Sequence, residues 1–86
     1  MLKIHRFNCA GLDVHKNPIV TTIGMTNRHT RITEYIQKEF TSLNFDLYNL
    51  KNWLVDHECF EVCMESTGKY WIPVFNVLET EEKMNI

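Results

Sequence analysis

Two short, mostly apolar segments lie far apart in the chain, and each ends in a carboxylate. Residues 10–12 lead into Asp13, and residues 60–64 lead into Glu65. Runs of this length suit buried strands, and the long stretch between them leaves room for a crossover that pairs them in parallel. Parallel neighbours end at the same edge of a sheet, so we expect Asp13 and Glu65 to meet there.

Length, charge and hydropathy limit the class of protein. The chain has 86 residues, enough for one domain over residues 1–86. Its net charge of −2 argues against a broad nucleic-acid-binding surface, so any contact with DNA would need a local site. No apolar run is long enough to span a membrane, and residues 1–6 lack the apolar core of a signal peptide. We therefore expect a cytoplasmic protein with no membrane partner.

The pattern of apolar residues predicts the order of the elements. Residues 7–14, 19–25 and 30–40 are predicted to form a three-stranded meander, although residues 30–40 alternate imperfectly and a helix there stays open. Leucines at helical spacing after residue 42 predict a helix with Thr41 or Ser42 as its N-cap, ending near residues 57–58. Residues 59–65 are predicted to form a fourth strand, followed by a second helix.

The second helix has more than one candidate start. Ser66 or Thr67 is a candidate N-cap, but Pro73 belongs in a first turn, so the regular helix begins near Ile72 or an irregular turn precedes it. Its predicted apolar face includes Trp71, and residues 84–86 have the character of a strand just beginning. The three cysteines are expected to be reduced and mostly buried.

The predicted order is β-β-β-α-β-α. A meander that leads through a right-handed crossover to a parallel fourth strand beside the first is the opening of an RNase H-like α/β mixed sheet. The functional edge of such a sheet lies at the carboxyl ends of its parallel strands. Asp13 and Glu65 are both predicted to lie at that edge.

Carboxylates at such an edge suggest metal chemistry. Mg²⁺ prefers carboxylate oxygens, and two such ions can hold the attacking and leaving oxygens of a phosphodiester. Asp13 and Glu65 are therefore candidate catalytic and metal-binding residues, although they supply only half of such a site. The alternative is that each is a surface carboxylate at a turn or a helix start.

The residues that flank these carboxylates are candidates for nucleic-acid contacts, each with a simpler alternative. His15 and Lys16 are expected to be exposed, and Lys16 is either a phosphate contact or a solvated turn charge. Ser66 and Thr67 are phosphate contacts or helix caps. Gly68 lets phosphate approach a helix start or is a turn residue. Lys69 and Tyr70 complete the set, with Tyr70 as a possible base-stacking surface.

Three motifs of the chain resemble one protein family. They are Gly11-Leu12-Asp13-Val14-His15-Lys16, the helical segment Leu50-Lys51-Asn52-Trp53-Leu54, and the long run from Met64-Glu65-Ser66-Thr67-Gly68 to Lys69-Tyr70-Trp71-Ile72-Pro73-Val74. This sequence resembles the DEDD transposases of bacterial insertion sequences, of the insertion-sequence one-ten family, which also includes the Piv-type invertases. The resemblance covers about residues 9–79.

The resemblance implies a function. The amino-terminal domain of that family looks like the Holliday-junction resolvase RuvC, in which Asp, Glu, Asp and Asp bind Mg²⁺. Asp13 resembles the first and Glu65 the second of these, and the other two would follow a further strand. The resemblance thus implies the amino-terminal part of a transposase that acts on DNA, for some members with a guide RNA. The expectation of a homo-oligomer has a different basis: the strand that begins at Met84 has little left to pair, so the outer edge of the fourth strand is uncovered and can pair or swap with another copy. By itself this part is expected to be inactive.

Two other classes remain as alternatives. An actin-like sugar kinase or ATPase also opens with three strands and an Asp, but it needs small residues after that Asp, where this chain has Val14, His15 and Lys16. A non-catalytic interaction or dimerisation module with the same fold would carry Asp13 and Glu65 by coincidence. Side chains on opposite faces of the sheet would favour the module.

Overall fold

The computed structural model describes residues 6–86, which form a mixed four-stranded sheet and two helices. The elements are β1 (Arg6–Val14), β2 (Ile19–Asn27), β3 (Thr33–Phe40), α1 (Asn44–Asp56), β4 (Glu61–Ser66) and α2 (Trp71–Leu78). The predicted order β-β-β-α-β-α is confirmed, and residues 30–40 do not form a helix. The expectation about a signal peptide concerns residues 1–6, of which 1–5 lie outside the described residues.

The strands lie in the order β3-β2-β1-β4. β2 pairs antiparallel with both β1 and β3, and β4 pairs parallel with β1. Beyond β4, Asn85 forms a parallel bridge with Glu61, and its backbone N–H and C=O bond to Phe60 and Val62. Residues 84–86 thus contain one strand-like bridge, at Asn85, and no regular strand, so the prediction of a further strand beginning there is met only in part.

Both helices pack on the same face of the sheet. α1 leads from β3 across to β4, and α2 leads from β4 outward to Asn85, so both connections move across the sheet in the same direction. Right-handed crossovers that move in one direction place their helices on one face. Beneath them lies a single core, which contains Leu47, Leu50 and Leu54 of α1, Val74, Val77 and Leu78 of α2, and Ala10, Leu12, Val14, Ile19 and Ile23 of the sheet.

The other face of the sheet is open to solvent. Cys9 and Cys63 lie on this face and are exposed, so the expectation of mostly buried thiols is wrong for these two and holds only for Cys59. Trp71 is likewise 41% exposed rather than part of the core, because α2 buries Val74, Val77 and Leu78 instead. Sequence periodicity alone does not tell which face of a strand or helix is covered.

Two predicted boundaries need correction. β3 begins at Thr33, because the Asn27 side chain accepts N–H bonds from His29 and Thr30 and holds these residues in a turn. α1 has Leu43 at its N-cap, with no side-chain capping bond, so neither Thr41 nor Ser42 is the N-cap.

Within residues 6–86, neither helix has the length and apolar character needed to cross a bilayer.

Candidate functional site

Asp13 and Glu65 lie side by side on neighbouring parallel strands. In the β1–β4 ladder the Cα of Asp13 is paired with that of Glu65. Paired residues of adjacent strands project to the same face and are about 4.8 Å apart along the hydrogen-bonding direction. Both are exposed and follow residues that are buried or half-buried, so both carboxylates belong to the open face. The predicted adjacency is confirmed, and the observation that would have favoured an interaction module is not found.

His15 connects the end of β1 to the segment after β4. Its Nε2 lies 3.1 Å from Oδ1 of Asp13, and its Nδ1 lies 3.5 Å from the hydroxyl of Thr67. The imidazole and the Asp13 carboxylate form an ion pair when His15 is protonated. His15 is half-buried, whereas the sequence predicted an exposed residue.

The segment after β4 is tied to the same edge. The backbone N–H of Thr67 donates to the carbonyl of Val14 at 3.1 Å, and the Ser66 hydroxyl donates to the carbonyl of Thr67. Gly68 has a φ of +59°, a left-handed backbone conformation that residues other than Gly and Asn rarely adopt. The predicted turn role of Gly68 therefore has a structural reason.

None of the predicted caps belongs to α2. Its N-cap is Tyr70, which makes no side-chain capping bond, and the residues from Thr67 to Tyr70 form a turn before the helix. Ser66 is the last residue of β4, and Glu65 lies before it. The helix-capping alternatives for Glu65, Ser66 and Thr67 are therefore wrong, because the chain turns once more before Trp71. Pro73 lies in the first turn of the helix, as predicted.

The cationic and aromatic candidates surround this edge without touching the carboxylates. Lys16 is exposed in the turn after β1, and Lys69 and Tyr70 are exposed in the turn before α2. In the part of the chain that the structure describes, no hydrogen bond or ion pair joins these three residues to Asp13 or Glu65. All three side chains are exposed to solvent. Their position suits a contact with phosphate and equally suits a solvated turn.

A further acidic residue shares the row of the two carboxylates. Val20 is paired with Asp13 on one side and with Glu39 of β3 on the other, so the row across the open face reads Glu39, Val20, Asp13, Glu65. Val20 separates Glu39 from Asp13 by two strand spacings, roughly 10 Å. Sequence reasoning missed Glu39 because only the pairing register of the meander brings it to this row.

The site meets part of what a Mg²⁺ ion requires. The Asp13 side chain is 60% exposed, which leaves room for the waters that Mg²⁺ retains when carboxylates bind it. Two adjacent carboxylates are suitable ligands, but among residues 6–86 no group of three or more His, Cys, Asp or Glu side chains is arranged to hold a metal ion. The described residues thus fit one shared ion better than a complete two-ion centre.

Comparison with known proteins leaves the family open. No model of a known protein family matches the sequence, and no curated protein matches it significantly.

Proposed function

We propose that this chain carries the Asp and Glu positions of a Mg²⁺-dependent DNA-cleaving site of the DEDD transposase type, on the opening part of an RNase H-like, RuvC-like sheet. In this proposal Asp13 and Glu65 share a metal ion. A DEDD site has two more acidic residues, so these two carboxylates alone do not complete the cleavage site. The chain by itself is therefore expected to bind the ion weakly and to leave DNA uncut.

One observation carries the proposal: the direct pairing of Asp13 with Glu65 on one open face at the carboxyl ends of parallel strands. The motif residues that resemble the transposase family lie around this same pair. The sugar-kinase alternative gains no comparable support, because Val14, His15 and Lys16 follow Asp13, where that class of protein needs small residues.

Each residue has a distinct part in the proposed site. A bound Mg²⁺ would polarise a phosphodiester oxygen and stabilise the charge that develops during cleavage. Asp13 and Glu65 would hold the ion, and the His15 N–H would orient the Asp13 carboxylate. Lys16 and Lys69 would attract the phosphate backbone of DNA, and Gly68 would leave the backbone N–H groups of its turn accessible to phosphate. A DNA segment from the ends of an insertion element is the proposed partner.

Binding of Mn²⁺, followed by line broadening in amide NMR spectra, tests the metal site. We expect the strongest broadening at residues 13–15 and 65–67, with an affinity of roughly millimolar because two carboxylates make a poor cage. Asp13→Asn or Glu65→Gln should remove the broadening. Glu39→Gln is the matched control, since Glu39 belongs to the same row but lies two strands from Asp13. Broadening that survives Asp13→Asn would overturn the proposal.

Cleavage of supercoiled plasmid DNA tests the second part. With Mg²⁺ or Mn²⁺ the chain alone should produce no metal-dependent nicking above that of the Asp13→Ala variant. Metal-dependent turnover that Asp13→Ala abolishes would show that the two carboxylates suffice and would contradict the predicted inactivity. Micromolar Mg²⁺ affinity by calorimetry would contradict the two-carboxylate site.

A further inference from the structure

Among residues 6–86, nothing pairs with the outer edge of β3, which is long and regular. β3 runs from Thr33 to Phe40, pairs with β2 in one continuous register and contains no proline. Tyr35 on this strand is 71% exposed, and Ile36 is only partly buried against the core. Regular edges of this kind present backbone N–H and C=O groups that can pair with another strand.

The hairpin fixes which backbone groups point outward. The N–H of Asn27 donates to the carbonyl of Ile32, so Ile32 belongs to a hydrogen-bonded pair with β2. Such pairs alternate along an antiparallel ladder, so Glu34, Ile36 and Lys38 also direct their backbone groups toward β2. The outward backbone groups are those of the alternate residues, Thr33, Tyr35, Gln37 and Glu39.

We propose that this edge binds a second copy of the chain, with β3 pairing antiparallel to β3 of the partner about a two-fold axis at Ile36. A two-fold axis in an antiparallel pair passes between two identical residues, so only registers centred on a single residue are possible. The outward groups of Tyr35 and Gln37 then bond to those of the partner's Gln37 and Tyr35. The two meanders join into one continuous sheet.

Charge selects the register centred on Ile36. There Glu34 lies opposite the partner's Lys38, and Lys38 lies opposite the partner's Glu34. Both are non-hydrogen-bonded positions, where opposed side chains come closest. Ile36 meets the partner's Ile36 between these two charge pairs. A register centred on Gln37 instead places Ile36 opposite the partner's Lys38, and one centred on Tyr35 places Ile36 opposite the partner's Glu34.

The charges concerned have no ion-pair partner within the described part of the chain. Neither Glu34 nor Lys38 belongs to a salt bridge there. The Lys38 ammonium lies over the ring of Phe40, with 5.3 Å between Nζ and the ring centroid, and both charged side chains are exposed. Lys38 also attracts the Asp46 carboxylate, without an ion pair between them. Pairing between copies would thus give both edge charges a direct partner of opposite sign.

Sedimentation equilibrium of the whole chain and of charge variants tests the proposal. Wild type should show a concentration-dependent dimer of the 10.3 kDa chain. Glu34→Lys or Lys38→Glu alone should raise the dimer Kd at least about tenfold. In either variant, position 34 of each copy faces a like charge at position 38 of the other copy, so the dimer contains two repulsive pairs. Mixing the two variants should restore dimers, since each Lys then faces a Glu of the other chain. The control Lys83→Glu makes the same charge change away from β3.

Three outcomes would overturn this proposal. The first is a wild-type chain that stays monomeric at millimolar concentration. The second is a dimer whose Kd is unchanged in both single variants, which would place the contact elsewhere. The third is weakened single variants that fail to associate on mixing although both retain the far-ultraviolet circular dichroism of the folded chain. The Mn²⁺ experiment is independent of these outcomes, so failure of the dimer leaves the proposed metal site in place.

Discussion

Thr21 on β2 places a hydroxyl in the core without a hydrogen-bond partner. The residue is fully buried, and its Oγ1 makes no hydrogen bond in the described part of the chain. An unsatisfied buried polar group lowers stability, and valine has nearly the same shape. We predict that Thr21→Val raises the free energy of unfolding by about 1 kcal/mol, measured by urea denaturation. Thr22→Val, on the half-exposed neighbour, should change it less. A less stable Thr21→Val variant would contradict this prediction.

We expect the cysteines to differ in reactivity because only one of the three is buried. Burial raises the pKa of the Cys59 thiol to about 11, while Cys9 and Cys63 lie exposed on the open face. Because the thiolate is the reactive form, we predict that iodoacetamide at pH 8 modifies Cys9 and Cys63 in the folded protein and Cys59 only after unfolding. Peptide mass spectrometry measures each site. Equal labelling of all three thiols in the native state would show that Cys59 is accessible.

The residue contacts that define the candidate site were only partly predictable. Asp13 and Glu65 follow short apolar runs, and this local pattern predicts two strand ends. The contact of His15 with Thr67 joins residues 52 positions apart, and no local pattern indicates it. Glu39 joins the row only through the register of the meander. Sequence reasoning thus identifies residues whose role follows from their own strand and misses those that depend on pairing.

At the scale of the elements, α1 begins with a carboxylate in its first turn instead of a side chain at its N-cap. Asp46 accepts the backbone N–H of Thr41 at 2.6 Å and a hydrogen bond from the Asn49 side chain. These bonds, above all the one from Thr41, lower the pKa of Asp46. Thr41 and Ser42 were predicted as caps from residue type alone. Instead, the carboxylate of Asp46, the third residue of the helix, accepts a hydrogen bond from the backbone N–H of Thr41 just before the helix.

The lowered pKa of Asp46 gives a pH-dependent prediction. A carboxyl whose pKa is lower in the folded state stabilises the fold above its unfolded pKa, and this stabilisation is lost as the pH falls through the folded pKa. Asp46→Asn should therefore lower the free energy of unfolding at pH 7 by about 0.5 kcal/mol, a small value because solvent screens the group. The difference from wild type should shrink toward zero near pH 2 in denaturant titrations.

Asp56 provides the control for this prediction. It is the last residue of α1, where a negative charge opposes the helix dipole. Asp56→Asn should therefore leave the free energy of unfolding at pH 7 unchanged or slightly raise it. A loss at Asp46→Asn that stays constant from pH 7 to pH 2 would show that the effect comes from packing and not from charge.

At the scale of the whole molecule, crossover direction decides which surfaces are covered. The element order was predictable because strand and helix periods differ along the sequence. The exposure of Cys9, Cys63 and Trp71 was not predicted, since it depends on both helices sharing one face. That arrangement leaves Asp13 and Glu65 on the solvent-facing side of the sheet, where the proposed metal ion and phosphodiester would have access.

A core on one side of a single sheet also makes the whole fold depend on a few leucines. Leu50 of α1 is fully buried among side chains of the sheet and α2, whereas Leu43 at the N-cap is 58% exposed. We predict that Leu50→Ala lowers the free energy of unfolding by about 3 kcal/mol, a large part of the roughly 4–13 kcal/mol expected for a domain of this size. Leu43→Ala should cost less than about 1 kcal/mol. Urea denaturation of both variants is monitored by Trp fluorescence and by circular dichroism. The two signals should give coincident transitions, because one core supports every element. Separate transitions, or equal losses at the two leucines, would show that α1 does not depend on this shared core.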